Sequence, residues 1–188
     1  MLRNLWKVSS KISDVNLKIQ IVQSSILSHL DYCNSLYVFL PKKQLSRLQS
    51  LINASVRFIY NLRKYFRPSL SHPTPISITS FTKKCHFLPI QTRINFKICT
   101  LVYKCLNNLA PQYLKNLISI KQSLPSLRIS KDNLLLQPLF QTLNYKHRAF
   151  SSAAPAIWNT LSYELRSSPS IGIFRNNLKT YFFQIAYP

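Results

Sequence analysis

The sequence predicts a mainly α-helical chain that ends in a small α+β C-terminal region with a short β-hairpin. Three observations carry this expectation. Apolar residues recur at three- and four-residue spacing through most of the 188 residues. Eleven prolines fall largely between those periodic segments, where they punctuate helices, against a single glycine. Only between residues 124 and 144 does the helical period weaken. There Leu127–Ile129 and Leu134–Phe140 read as short strands around a turn at Lys131–Asn133.

The helices follow in order. Asp14 can cap a helix running to about His29, with Leu17, Ile21, Ile26 and Leu30 on one side. The apolar stretch Leu30–Leu40 continues that helix or forms a short second one. Pro41 opens a helix to about Asn61, whose stripe is Leu45, Leu48, Ile52, Val56 and Ile59; Lys43 and Arg47 stand four apart on its polar side. Residues 63–76, with three prolines and three positive charges, read as a basic exposed loop. Its aromatics Tyr65 and Phe66 suit either base stacking or a solvated linker. A short helix is expected from Ile76 to about His86. A strong one follows from Pro89 to about Asn107, with Ile90, Ile94, Ile98, Leu101 and Cys105 on one face and Arg93, Lys97 and Lys104 beside it. Phe96 and Tyr103 flank that basic stripe. The pattern fits a helix buried on two sides whose cations snorkel outward, and also a groove that tracks a nucleic-acid backbone. Gln112 to Ile120 is short and helical.

Near the C-terminus, Arg148–Arg166 has the most local order. Ser151 and Ser152 are capping residues, Pro155 suits an early helical position, and Ile157, Trp158, Leu161 and Leu165 would bury one face. A last helix is capped at Ser170, with Ile171, Phe174, Leu178, Tyr181 and Ile185 inward. Trp158, Leu161, Phe174 and Leu178 are the expected structural core. The organisation expected is three parts: 1–65, 66–123 and 124–188.

Charge is the strongest global signal. There are 25 Lys and Arg against 4 Asp and Glu, a net +21. From Tyr32 to Lys131 there are 16 basic residues and no acidic one. Such a chain repels itself unless a polyanion is near, and nucleic acid is the first partner to consider. The expected contacts are Lys42, Lys43, Arg47, Arg63, Lys64, Arg67, Arg93 and Lys97, to phosphates rather than bases. An anionic membrane surface is the second candidate. No window is apolar over the length a bilayer needs, and the N-terminal stretch has no secretory pattern. An intracellular place, nucleus or cytoplasm, is expected.

Catalysis is not expected. Asp14, Asp31, Asp132 and Glu164 stand far apart, so no adjacent Asp pair can hold two metal ions. One glycine excludes phosphate-cradling loops and nucleophile elbows. Cys33, Cys85, Cys99 and Cys105 form no CxxC pair and no zinc-finger spacing with histidine; reduced, mostly buried thiols are expected, and no cofactor.

The order of several segments carries a resemblance. ILSHLDYCNSLYVFLPKKQLSRLQSLINASVRFIYN (Ile26–Asn61), HFLPIQTRINFKICTLVYKCLNNLAPQYL (His86–Leu114), HRAFSSAAPAIWNTLSYELRSS (His147–Ser168) and FRNNLKTYFF (Phe174–Phe183) resemble the C-terminal part of a non-LTR (LINE-type) retrotransposon reverse transcriptase polyprotein. The resemblance implies thumb-like helices in 1–65, a basic loop and helical segment in 66–123, and the family's far C-terminal region in 124–188. It implies a parent activity of target-primed reverse transcription, with this portion holding RNA or DNA through the backbone. The family's paired Asp signature is not in this chain, and an upstream catalytic palm acting in trans is a partner the resemblance allows. A decayed reading frame without a selected function and a basic membrane-surface protein stay open as alternatives.

Overall fold

The computed structural model describes residues 12–38, 40–62, 77–121, 133–138 and 150–188. They pack as two compact units that divide after Ile90. The first takes the described residues of 12–34 and 40–90, together with Tyr187; the second takes 35–38, the described residues of 91–186, and Pro188.

In the first unit, Asp14 caps α1 (Val15–Val22), its carboxylate accepting the Asn16 N–H at 2.9 Å. The chain then widens into a π-helical turn, Gln23–Leu27, before α2 (Ser28–Asp31). A cause lies in the sequence. Ser24 donates to the Ile21 carbonyl at 3.2 Å and Ser25 donates to the same oxygen. Hydroxyls bonding back onto the ladder loosen it. The extra residue shifts the inward face. Lys18, Val22, Ile26, Leu27 and Leu30 are buried, whereas Leu17, expected inside, is 44% exposed. A 3₁₀ turn, Asn34–Tyr37, follows α2.

α3 (Lys42–Ile59) buries Ile52, Ser55, Val56, Phe58 and Ile59 and packs on α1 and on α4 (Ile78–Lys84). The Ser55 hydroxyl is satisfied by the Leu51 carbonyl at 2.8 Å, which allows it to be buried. Tyr187 is also anchored in this unit. Its hydroxyl donates to the Phe87 carbonyl at 2.6 Å, and its own carbonyl accepts from Lys83 Nζ at 3.2 Å.

A chain with one glycine must end helices on other residues. Asn61, His86 and Asn108 all adopt positive φ, at 54°, 53° and 60°. Each is followed by a residue whose N–H reaches five residues back: Leu62 to Arg57, Phe87 to Thr82, Leu109 to Lys104. These are left-handed helix caps built on Asn and His, where Gly is usual. Asn tolerates that conformation through its short polar side chain.

The second unit is organised on α5 (Ile90–Leu106), the remainder of which joins Ile94, Ile98, Cys99, Val102, Tyr103 and Cys105 to its core. Of the two aromatics beside its basic stripe, Tyr103 is only 2% exposed and belongs to the core, while Phe96 is half-buried. α6 (Gln112–Lys115), α7 (Phe150–Trp158), α8 (Tyr163–Arg166) and α9 (Ile171–Ala186) complete the unit.

Two expectations are corrected here. First, Trp158, Leu161 and Leu165 do not lie on one helix. α7 ends at Trp158, a turn holds Leu161, and α8 carries Leu165; Ser151 and Ser152 lie inside α7 and do not cap it. All three apolar residues are nonetheless buried. Second, no hairpin is found among the described residues. Leu135 makes an isolated antiparallel bridge to Ile120, flanked by Lys121 N–H to the Leu134 carbonyl and Leu136 N–H to the Ser119 carbonyl, both at 2.8 Å. The other polar edge of Leu135 meets a side chain. Asn159 accepts its N–H and donates to its carbonyl, each at 2.9 Å, so one amide replaces a neighbouring strand. Residues 127–129 and 139–140 lie outside the described residues.

Trp158 is fully buried, and its ring N–H donates to the Asn133 carbonyl at 2.8 Å. Its ring lies 5.8 Å from Phe174, which stacks on Tyr103 at 4.4 Å and 16°. The Tyr103 hydroxyl then donates to the Ser168 carbonyl at 2.7 Å. Three aromatics thus fill the core while each polar tip finds a partner. Leu178 is also fully buried, and Phe182 takes the inward place expected for Tyr181 and Ile185; Ile185 is 58% exposed.

Candidate nucleic-acid interface

Helix N-termini carry partial positive charge and unpaired N–H groups, so acids are favoured there and cations are not. α3 does the opposite. Its first turn has no acid and begins with Lys42 and Lys43; Pro41 precedes it and supplies no side-chain cap. Lys42, Lys43 and Arg47 are all exposed. Lys43 and Arg47, four apart, share one face, with Ser46 and Ser50 exposed beside them. Two cations in the first turn of an 18-residue helix oppose its dipole, Arg47 one turn on adds like-charge repulsion, and an anion removes that penalty. The amphipathic pattern fixes their direction, because Ile52, Val56 and Ile59 hold the opposite side in the core.

In the second unit, Lys97 is exposed and Arg93 half-buried on α5, four residues apart. Both leave the buried face formed by Ile94, Ile98 and Val102. Arg63, Lys64 and Arg67 lie outside the described residues, as do Tyr65 and Phe66.

Sequence reading missed one cation. Lys18 is 1% exposed; its ammonium donates to Asn61 Oδ1 at 3.0 Å and stands 5.7 Å over the Phe58 ring. It ties α1 to the C-terminal cap of α3, so it is structural and does not face a ligand. Its place between Leu17 and Ile19 is an apolar run, but only the register set by packing turned it inward.

No group of three or more His, Cys, Asp or Glu side chains that could hold a metal ion occurs among the described residues. Three of the four thiols are buried. Burial pushes the Cys99 thiol up to about 12 and raises those of Cys85 and Cys105. The Cys85 thiol stands 3.7 Å from the Tyr60 hydroxyl, and burial, helped by that contact, pushes Tyr60 up to about 12. Cys33 alone of the four is exposed. A thiol-reactive dye on the native chain should therefore label Cys33 quickly and the other three only on unfolding. Equal rates at all four would contradict this packing. Alkali should also destabilise the fold. The unfolded chain ionises from the ordinary values of 9.0 for Cys99 and 10.0 for Tyr60, while the folded chain holds both neutral. Stability present below pH 9 is lost as pH rises to about 12.

What the fold and its surface define is a class: a mainly helical, strongly basic chain with exposed cations on two amphipathic helices. No described helix is long and apolar enough to cross a membrane. No family model, no curated protein and no solved structure matches the chain.

Proposed function

We propose that this chain is a non-catalytic nucleic-acid-binding fragment, akin to the C-terminal part of a LINE-type reverse transcriptase, that holds RNA or DNA through its phosphates. The observation that carries this reading is the bare cationic start of α3, where Lys42, Lys43 and Arg47 stand exposed in a stretch with no acid from Tyr32 to Lys131. Arg93 and Lys97 add a second pair of phosphate contacts, and Arg63, Lys64 and Arg67 extend the basic sequence after α3. In the parent protein such a portion steadies the duplex while a palm performs target-primed reverse transcription; this fragment supplies grip and no chemistry of its own.

Salt dependence tests it. Anisotropy of a labelled RNA or DNA should give an affinity that falls linearly on logarithmic axes, by about 0.9 per phosphate neutralised on duplex DNA and about 0.7 on a single strand. Engagement of the three α3 cations alone gives a slope of about −3 on duplex. Anionic vesicles should compete poorly with RNA. Absence of binding at about 50 mM salt would end the proposal.

A further inference from the structure

The C-terminal end of α3 and the helix α4 packed on it bring two aromatic rings together in the first unit. Tyr60, the residue after α3, and Phe81, in the middle of α4, have ring centroids 4.8 Å apart and tilt by 58°. A tilted pair sets the edge of one ring toward the face of the other, so one ring keeps both faces clear of its partner. Both residues are half-buried. Phe81 has no polar atom in its side chain, so the part of it that solvent reaches is apolar. Tyr60 is pinned at its tip, where its hydroxyl oxygen accepts from the buried Cys85 thiol at 3.7 Å. The pair is held in place before anything binds, so little freedom is lost on binding.

A cation stands one turn from each ring. Arg57 precedes Tyr60 by three residues, and Lys84 follows Phe81 by three, spacings that make side chains neighbours on a helix. Lys84 is exposed, and its ammonium stands 5.4 Å from the centre of the Phe81 ring. A cation–π contact at an exposed site is weak, so the ammonium can leave it for a stronger partner. The described residues of 40–90 hold six Lys and Arg, namely Lys42, Lys43, Arg47, Arg57, Lys83 and Lys84, and no acid.

We infer that the Tyr60–Phe81 pair is a stacking platform for an unpaired base of single-stranded RNA or DNA, with Arg57 and Lys84 taking the adjoining phosphates. An unpaired base offers a flat π-face to the rings and carries its phosphate within the same nucleotide. A duplex keeps its bases stacked inside, so the platform separates single strands from duplexes and reads no sequence. Charge complementarity selects the occupant. An acid-free cationic surface draws a polyanion, and a single strand brings aromatic faces together with its charges. The inference rests on the function proposed above and adds to its phosphate contacts a site that recognises strand state.

Anisotropy of the full chain with a labelled single strand, and with a duplex of equal length, tests the platform. Phe81→Leu keeps an apolar side chain and removes the ring. It should bind the single strand more weakly by about fivefold or more, and the duplex as the wild type does. Its salt slope should not change, because no phosphate contact is lost. Phe81→Tyr should restore single-strand binding. The wild type gives a second readout that needs no variant to fold: a strand carrying 5-iodouracil, irradiated in the complex, should couple to Tyr60 or Phe81. Full single-strand affinity in Phe81→Leu, or coupling only at other residues, would overturn the platform while the α3 surface stands. So would an equal loss on duplex in a variant that melts like the wild type. An acidic peptide that binds as tightly as the strand, and is weakened equally by Phe81→Leu, would overturn the nucleobase assignment. Binding of neither strand nor duplex by the wild type would end the proposed function itself, and the platform with it.

Discussion

Trp158→Ala is expected to destabilise the second unit by about 3–5 kcal/mol, the largest loss of any single substitution proposed for this chain. Trp158 is fully buried between the Asn133 carbonyl and the Phe174 ring. Truncation removes its transfer free energy and leaves a cavity that the stacked Phe174 and Tyr103 rings cannot easily fill. Trp158→Phe should lose less, because it keeps part of the aromatic volume and gives up only the ring N–H bond and the smaller gap. Urea unfolding followed by circular dichroism reads both. The first unit should keep its helical signal at urea concentrations where the variant has lost the second. A Trp158→Ala loss below about 1 kcal/mol would mean that the core does not rest on this ring.

Replacing Lys42, Lys43 and Arg47 together by glutamate is expected to weaken RNA or DNA binding by on the order of 10²-fold or more near physiological salt, and to flatten the salt slope by about 3. The fold should survive. All three side chains are exposed, and glutamate in the first turn of α3 is favoured by the helix dipole, so the variant should melt no lower than the wild type. Improved helix stability with lost binding is what a functional surface shows when its penalty is removed. Glutamate at Lys121, Arg175 and Lys179, exposed cations of the second unit, is the control matched in charge change. An equal loss there would mean that nonspecific net charge, rather than α3, carries the binding.

Much of the fold was legible because helical periodicity is a local property. Asp14 as a cap, Pro41 at the opening of α3, Pro89 before α5 and Ser170 before α9 all follow from residue chemistry within one turn. The burial of Trp158, Leu161, Phe174 and Leu178 was legible for the same reason: large apolar side chains at regular spacing need a core. The exposed cations Lys42, Lys43, Arg47 and Lys97 could be placed because the opposite faces of their helices were apolar.

Other features depend on contacts distant in sequence. Leu135 looked like part of a hairpin strand because alternation is visible locally, but its partners are Ile120 and the Asn159 amide. Leu161 and Leu165 keep a helical spacing across a turn, so periodicity alone read one helix where there are two. The inward face of α1 moved because serine hydroxyls bonded back onto the ladder and inserted a π-turn.

By itself, the sequence determined that this is a basic, proline-punctuated helical protein with a Trp158 core and cationic helix faces, since propensity, capping and charge act over a few residues. Only the tertiary structure decided which polar groups are matched. Lys18 and Arg166 are both cations that the fold buries. Packing brought Asn61 and Phe58 to Lys18, and among the described residues it brought no hydrogen-bond partner to Nε and Nη1 of Arg166. Hydrogen-bond satisfaction depends on what arrives from elsewhere in the chain, and no local pattern encodes it.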